Sequence, residues 1–143
     1  MTVTLSETER ATSWSKDPAS QAYWLLRIVF TVAPILFGLD KFLNVLTDWS
    51  AYIAPIVNEA LLINADQFLY FVGALEIAAS LTVLIAPRYG SLIVAVWLTG
   101  VIVNLLFSGH NFDIALRDFG LLVGALALFR LSSMPGVHHR GDE

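Results

Sequence analysis

No cysteine occurs among the 143 residues. Disulfides, thiolate metal sites and thiol redox chemistry are thereby excluded from this chain. Charge is also scarce. Asp, Glu, Lys and Arg make up 14% of the residues, against about 25% in an ordinary soluble domain. None of the four occurs from Tyr89 through Phe112, which argues against a soluble helical bundle. No basic patch is present and the net charge is −4, so nucleic acid is not an expected partner. The first 21 residues lack an apolar centre and read as a polar tail rather than a secretory signal peptide.

What is present is apolar. Hydrophobic residues reach 57% and fall in four blocks, each near the roughly 20 residues that span a hydrocarbon core as a helix. The blocks are 22–46, 66–86, 89–109 and 112–131. They predict an all-α membrane protein, a four-transmembrane-helix antiparallel bundle over 22–131, with an interfacial loop at 47–65 and flexible tails at 1–21 and 132–143. The last three blocks are joined by short links, which makes them antiparallel neighbours. Pro34 lies inside the first block and predicts a kink, because it frees the carbonyl of Phe30. In the loop, Trp49 and Tyr52 suit the headgroup boundary. A short helix is expected to end before Pro55 or restart after it, and Asn64 or Asp66 to cap the second block.

Arg10, Lys16, Arg27, Arg88, Arg130 and Arg140 all fall on the side that holds both termini, against Lys41 and Arg117 toward the other. The positive-inside rule then places both termini in the cytoplasm, in the bacterial inner (plasma) membrane. With that orientation Asp40, Lys41, Asn104, Asp113, Arg117 and Asp118 lie in the outer third, with His110 in the adjoining loop and Glu76 near mid-depth. The inner halves of the last three blocks are nearly uniform in Leu, Val, Ile and Ala.

A charge at a membrane-helix centre costs about 2.5–3.5 kcal/mol, while each Leu or Phe returns only about 0.3–0.6. These side chains are therefore expected to face one another. Arg27, Thr31, Gly38 and Lys41 share an arc of the first helix; Gly73, Glu76 and Ser80 line the second; Gly100, Asn104 and Ser108 line the third. Asp113 and Arg117 share a face of the fourth, which Gly120 and Gly124 continue as sites of close backbone approach. Lys41 is expected to pair with a carboxylate of another helix, Glu76 or Asp118. Asp40 points about 100° away from Lys41 and is expected to meet Arg117 or the start of the fourth helix. Glu76, the deepest acid, is expected to be protonated or paired at neutral pH.

The stretches LLRIVFTVAPILFGLDKF, VGALEIAASLTVL and FDIALRDFGLLVGALAL resemble the DoxX-like family of small four-helix membrane proteins. The resemblance covers about Tyr23 to Leu131 and rests on an early Arg27, a Gly-x-x-Lys (Gly38, Lys41) and a Gly-x-x-Glu (Gly73, Glu76). It implies relatives of several kinds. Some are the membrane subunit of a thiosulfate:quinone oxidoreductase, others belong to oxidoreductase complexes with soluble partners, and distant ones act as assembly chaperones. It points to Arg27, Lys41 and Glu76.

Three readings of function stay open. In the first the chain is a non-catalytic accessory or scaffold subunit whose polar core fixes its shape, with a membrane or soluble protein, or further copies of itself, as partner. In the second it is a quinone-linked oxidoreductase subunit. Lys41 and Arg117 would stabilise a quinol anion and Glu76 deliver a proton, with Arg27, Asp40, Asn104, His110, Asp113 and Asp118 around the ligand. Quinone is the one cofactor this reading admits, since neither cysteine nor paired intramembrane histidine offers an iron–sulfur or bis-His haem site. The third is transport of a small molecule or proton. A metal site is not expected: His110 and Asp113 lack a third ligand, and His110 is expected to cap its loop or bond to Asp118. His138 and His139 read as a solvated pair.

Overall fold

A computed structural model gives the fold of residues 17–60 and 62–134. The tails at 1–16 and 135–143, with Arg10, Lys16, His138, His139 and Arg140, lie outside the described residues. Five helices follow in order: α1 (Pro18–Leu43), α2 (Pro55–Ala60), α3 (Ala65–Ile85), α4 (Pro87–Phe107) and α5 (Phe112–Ser132), with a 3-10 turn at Trp49–Tyr52. The described residues contain no strand. α1, α3 and α4 are each long and apolar enough to cross a membrane. α5 matches α3 and α4 in length but carries Asp113, Arg117, Asp118 and Arg130, which set it apart from those three.

Local chemistry sets the boundaries. α1 starts at Pro18, four residues before the apolar block, because Asp17 caps it and proline suits the first helical position. The Ser20 hydroxyl and amide bond the Asp17 carboxylate and hold it below its ordinary pKa. This cap is therefore complete at neutral pH and lost as the pH falls through that lowered value. α1 ends at Leu43 rather than at 46, because Asn44 turns left-handed with φ 50°. Asn64, not Asp66, caps α3 through its side chain. Pro55 restarts the chain as α2 after the 3-10 turn. Pro87 opens α4 two residues earlier than the apolar pattern indicates, and only Ala86 separates it from α3.

The long helices touch in the cyclic order α1, α3, α4, α5 and back to α1. Antiparallel pairing of α1 with α3 is fixed by three contacts: Arg27 with Leu84, Gly38 with Gly73, and Phe42 stacked on Tyr70. The apolar core gathers toward the α3–α4 turn and comprises Tyr23, Phe30, Val83, Val94, Ala95, Ala125 and Leu128. Lys41 lies about 16 Å further along α1 than Phe30, so apolar and polar interiors occupy opposite ends. Many large apolar side chains of α1, α3, α4 and α5 point outward, among them Leu25, Ile85, Val96 and Leu116, which is the surface a lipid solvent calls for.

Two glycines decide how closely α1 and α3 approach. A Cβ on Gly38 would stand 2.7 Å from the Gly73 carbonyl oxygen, and one on Gly73 would stand 2.7 Å from the Gly38 carbonyl oxygen. Gly90 is tighter still, with its Cβ position against the Val83 backbone nitrogen. Gly124 meets the Phe30 ring. Gly100 and Gly120 face open space, so the expectation of a close backbone approach at Gly120 is corrected: the turn of α5 around it does not reach a neighbouring backbone. Gly38→Ala and Gly73→Ala should each destabilise by about 1–3 kcal/mol through overpacking. Gly100→Ala and Gly120→Ala should leave the thermal midpoint in detergent unchanged or raised. Equal midpoints for all four variants would refute the assigned crossing.

Candidate functional site

The site is built around the consecutive pair Asp40 and Lys41 in the last turn of α1. Both are buried, at 4% and 5% exposure. At the Gly38–Gly73 crossing the two backbones are close enough for Lys41 to reach the next turn of α3. Its Nζ lies 2.7 Å from Glu76 Oε2, with both side chains shielded from solvent. Of the two carboxylates expected for Lys41, Glu76 is the partner. The other Glu76 oxygen, Oε1, accepts from the Trp97 indole N–H of α4 at 3.3 Å.

Trp49 engages both members of the pair. Its indole N–H donates to Asp40 Oδ2 at 2.7 Å, while its ring face lies 3.8 Å from Lys41 Nζ. The ammonium thus sits between a carboxylate and an aromatic face, both attractive to a cation. Asp40 Oδ1 accepts from the backbone N–H groups of Val45 at 2.9 Å and Leu46 at 3.0 Å. The predicted contact of Asp40 with Arg117 is therefore corrected. Asp40 instead satisfies donors of the chain that follows α1, because the left-handed Asn44 folds that chain back over it.

Asn104 serves the same loop from α4. Its Oδ1 accepts from the Ala54 N–H at 3.0 Å, and its Nδ2 donates to the Tyr52 carbonyl at 2.7 Å. Ala54 is fully buried as a result. The connection from α1 to α3 is thus anchored at both ends of its 3-10 turn, by Asp40 from below and Asn104 from the side.

The remaining expected site residues are dispersed. Asp118 is buried and lies within electrostatic reach of Glu76. Arg117 points away from the cluster, with its side chain 62% exposed, and bonds its neighbour Asp118 at 3.2 Å. Asp113 is exposed in the first turn of α5, where it complements the helix dipole. Asp113 and Arg117, four residues apart, form no ion pair with each other. His110 is exposed; its carbonyl accepts from Ser108 Oγ, and its ring makes no bond to Asp118. Arg27 lies about 21 Å from Lys41 along α1. It donates to Tyr23 Oη and to the Leu84 carbonyl, and stacks over Trp24. There it caps an otherwise orphan carbonyl at the end of α3. Ser80 Oγ is buried without a hydrogen-bond partner among the described residues. No three His, Asp or Glu side chains among the described residues gather as a metal site.

Two participants were not assigned to the site from the sequence. Trp97 lies seven residues before Asn104 and so on the same helical face, a signal present in the pattern. Trp49 by its sequence context suits the headgroup boundary, and only the fold-back of the loop brings it onto Lys41. No family model, curated protein or solved structure matches the chain.

Removing one member of the Lys41–Glu76 pair should leave an uncompensated buried charge. Lys41→Met is expected to destabilise by about 3–5 kcal/mol. Lys41→Met combined with Glu76→Gln should recover much of that loss, because Gln keeps an acceptor for Trp97. Chemical unfolding in detergent measures the cycle, and strictly additive losses would refute a direct pair. Asn104→Ala should cost about 1–3 kcal/mol by orphaning the Ala54 N–H and should raise proteolytic cleavage between residues 47 and 62.

Proposed function

We propose that the chain is a non-catalytic accessory or scaffold subunit of a membrane complex, of the DoxX-like kind. One observation carries this reading: the polar groups of the cluster are already satisfied by one another. Lys41 is held by Glu76 and Trp49; Asp40 accepts from Trp49, Val45 and Leu46; Asn104 bonds Ala54 and Tyr52. A quinone carbonyl or small anion at Lys41 would have to displace one of these partners. A ligand site more commonly presents a few polar groups toward an apolar pocket. Arg117, the second cation of the quinone reading, points outward.

In this reading α5 is the fourth crossing. Its length supports this, as does its place between α4 and α1, where Asp118 turns inward. Both termini are cytoplasmic in a bacterial inner membrane, as the excess of Arg at the Arg27, Arg88 and Arg130 end supports. The anchored loop from Asn44 to Asn64 then faces outward and presents a fixed surface to a partner.

The test is purification of the full chain from native membranes in mild detergent. A defined protein should co-purify at fixed stoichiometry. Asn104→Ala, which frees the loop, should lower its recovery severalfold while the chain remains monodisperse. A lone chain carrying bound quinone, with quinone reduction abolished by Glu76→Gln, would replace this reading with the oxidoreductase one.

A further inference from the structure

The described cations are not equally engaged. Arg27 bonds Tyr23 and Leu84, Lys41 bonds Glu76, and Arg117 bonds Asp118. The Arg88 and Arg130 side chains have no carboxylate and no hydrogen-bond partner among the described residues, and both residues are exposed. They belong to the same end of the molecule. Arg88 is the second residue of α4 and Arg130 lies in the last turn of α5. The Arg88 guanidinium stands 5.8 Å from the centre of the Phe129 ring, next to Arg130 in sequence.

Between these elements lies an open cavity of about 260 Å³, lined by Ala86, Pro87, Arg88, Tyr89, Ser132 and Ser133. It is smaller than the roughly 300–1,000 Å³ of pockets for drug-sized molecules, which suits a headgroup rather than a whole small molecule. No side chain caps α4 there, which leaves amide N–H groups of its first turn for a ligand. Further along the same two helices exposed apolar side chains follow at helical spacing, Ile93 and Val96 four and seven residues after Tyr89 on α4 and Leu126 four residues before Arg130 on α5. Two exposed cations without a carboxylate, above an apolar helix face, match the charge and the layering of one class of molecule.

We infer that this cavity binds the phosphate of an acidic phospholipid, with Arg88 of its lining as the direct cationic contact, Arg130 at the same end of α5 adding to the positive field, and the acyl chains lying along α4 and α5. Basic pockets beside membrane helices on the cytoplasmic side recognise anionic headgroups in this way. The site lies away from the Lys41–Glu76 cluster and uses none of its residues. It rests on the proposed function only in taking the chain to span a membrane with this end inward. Bound lipid would add to the contacts, Arg88 over Phe129 among them, that tie the α3–α4 turn to the end of α5.

The experiment uses the full chain in mixed micelles titrated with phosphatidylglycerol or with phosphatidylcholine of equal chain length, read by native mass spectrometry. Phosphatidylglycerol should bind at least tenfold more tightly. Each of Arg88→Gln and Arg130→Gln should weaken it about fivefold, and both together roughly 30-fold, at about 1 kcal/mol per arginine. These exposed substitutions should leave the circular dichroism unchanged. Should a variant misfold, the wild type still decides, because its preference should fall as salt is raised from low to physiological strength. Equal binding of the two lipids, an unaltered preference in the double variant, or protection of the site by free glycerol phosphate alone would overturn the inference. Orientation is read separately by introducing Tyr89→Cys into the cysteine-free chain and labelling with an impermeant thiol reagent. Labelling from outside would overturn the orientation without touching the micelle result.

Discussion

The contact on which the rest depends is the backbone crossing at Gly38 and Gly73. Helix association inside a bilayer gains little from the hydrophobic effect, because lipid tails are as apolar as the side chains they would replace. Close packing and polar bonds must supply the specificity. Two residues without Cβ atoms let the α1 and α3 backbones meet. The same approach brings Lys41, one turn beyond Gly38, against Glu76, one turn beyond Gly73. The spacing of three residues in each motif has a geometric reason: the glycine and the charge lie on nearly the same face of their helix.

The buried pair then organises its surroundings. An ammonium and a carboxylate out of water are costly unless their remaining bonding capacity is met. Trp97 supplies a donor to the second oxygen of Glu76, and Trp49 supplies a ring face to Lys41. Trp49 can do so only when its segment folds back, and Asp40 holds it there through one side-chain and two backbone donors. Adjacent residues of opposite charge, about 100° apart around the helix, thus grip one indole by its edge and by its face. An ion pair between two helices becomes a rule for where a loop must lie.

A fixed loop above a satisfied polar cluster is a structural device suited to presenting a surface. The opposite end of the bundle differs in kind. There the interior is apolar around Phe30, Val83 and Leu128, and the Arg88 and Arg130 side chains have no carboxylate partner among the described residues. Polar groups engaged within the protein at one end, and cations left for the environment at the other, give the chain a direction.

The sequence alone determined the helical class and the positions of the long segments, because apolar runs of this length have few other solutions. It also determined which end would be polar, since charge cannot be left facing lipid, and it limited the partner of Lys41 to two acids. α1 and α4 start earlier than their apolar stretches, because proline, and at α1 the Asp17 cap, extend a helix beyond its apolar residues. Only the tertiary structure chose Glu76 over Asp118, gave Asp40 to the loop rather than to Arg117, and turned Arg117 outward. Those outcomes depend on which backbones can touch and on how the connection over residues 44–64 returns. Helical periodicity gives the direction of a side chain about its own axis and no information about the distance to the next helix.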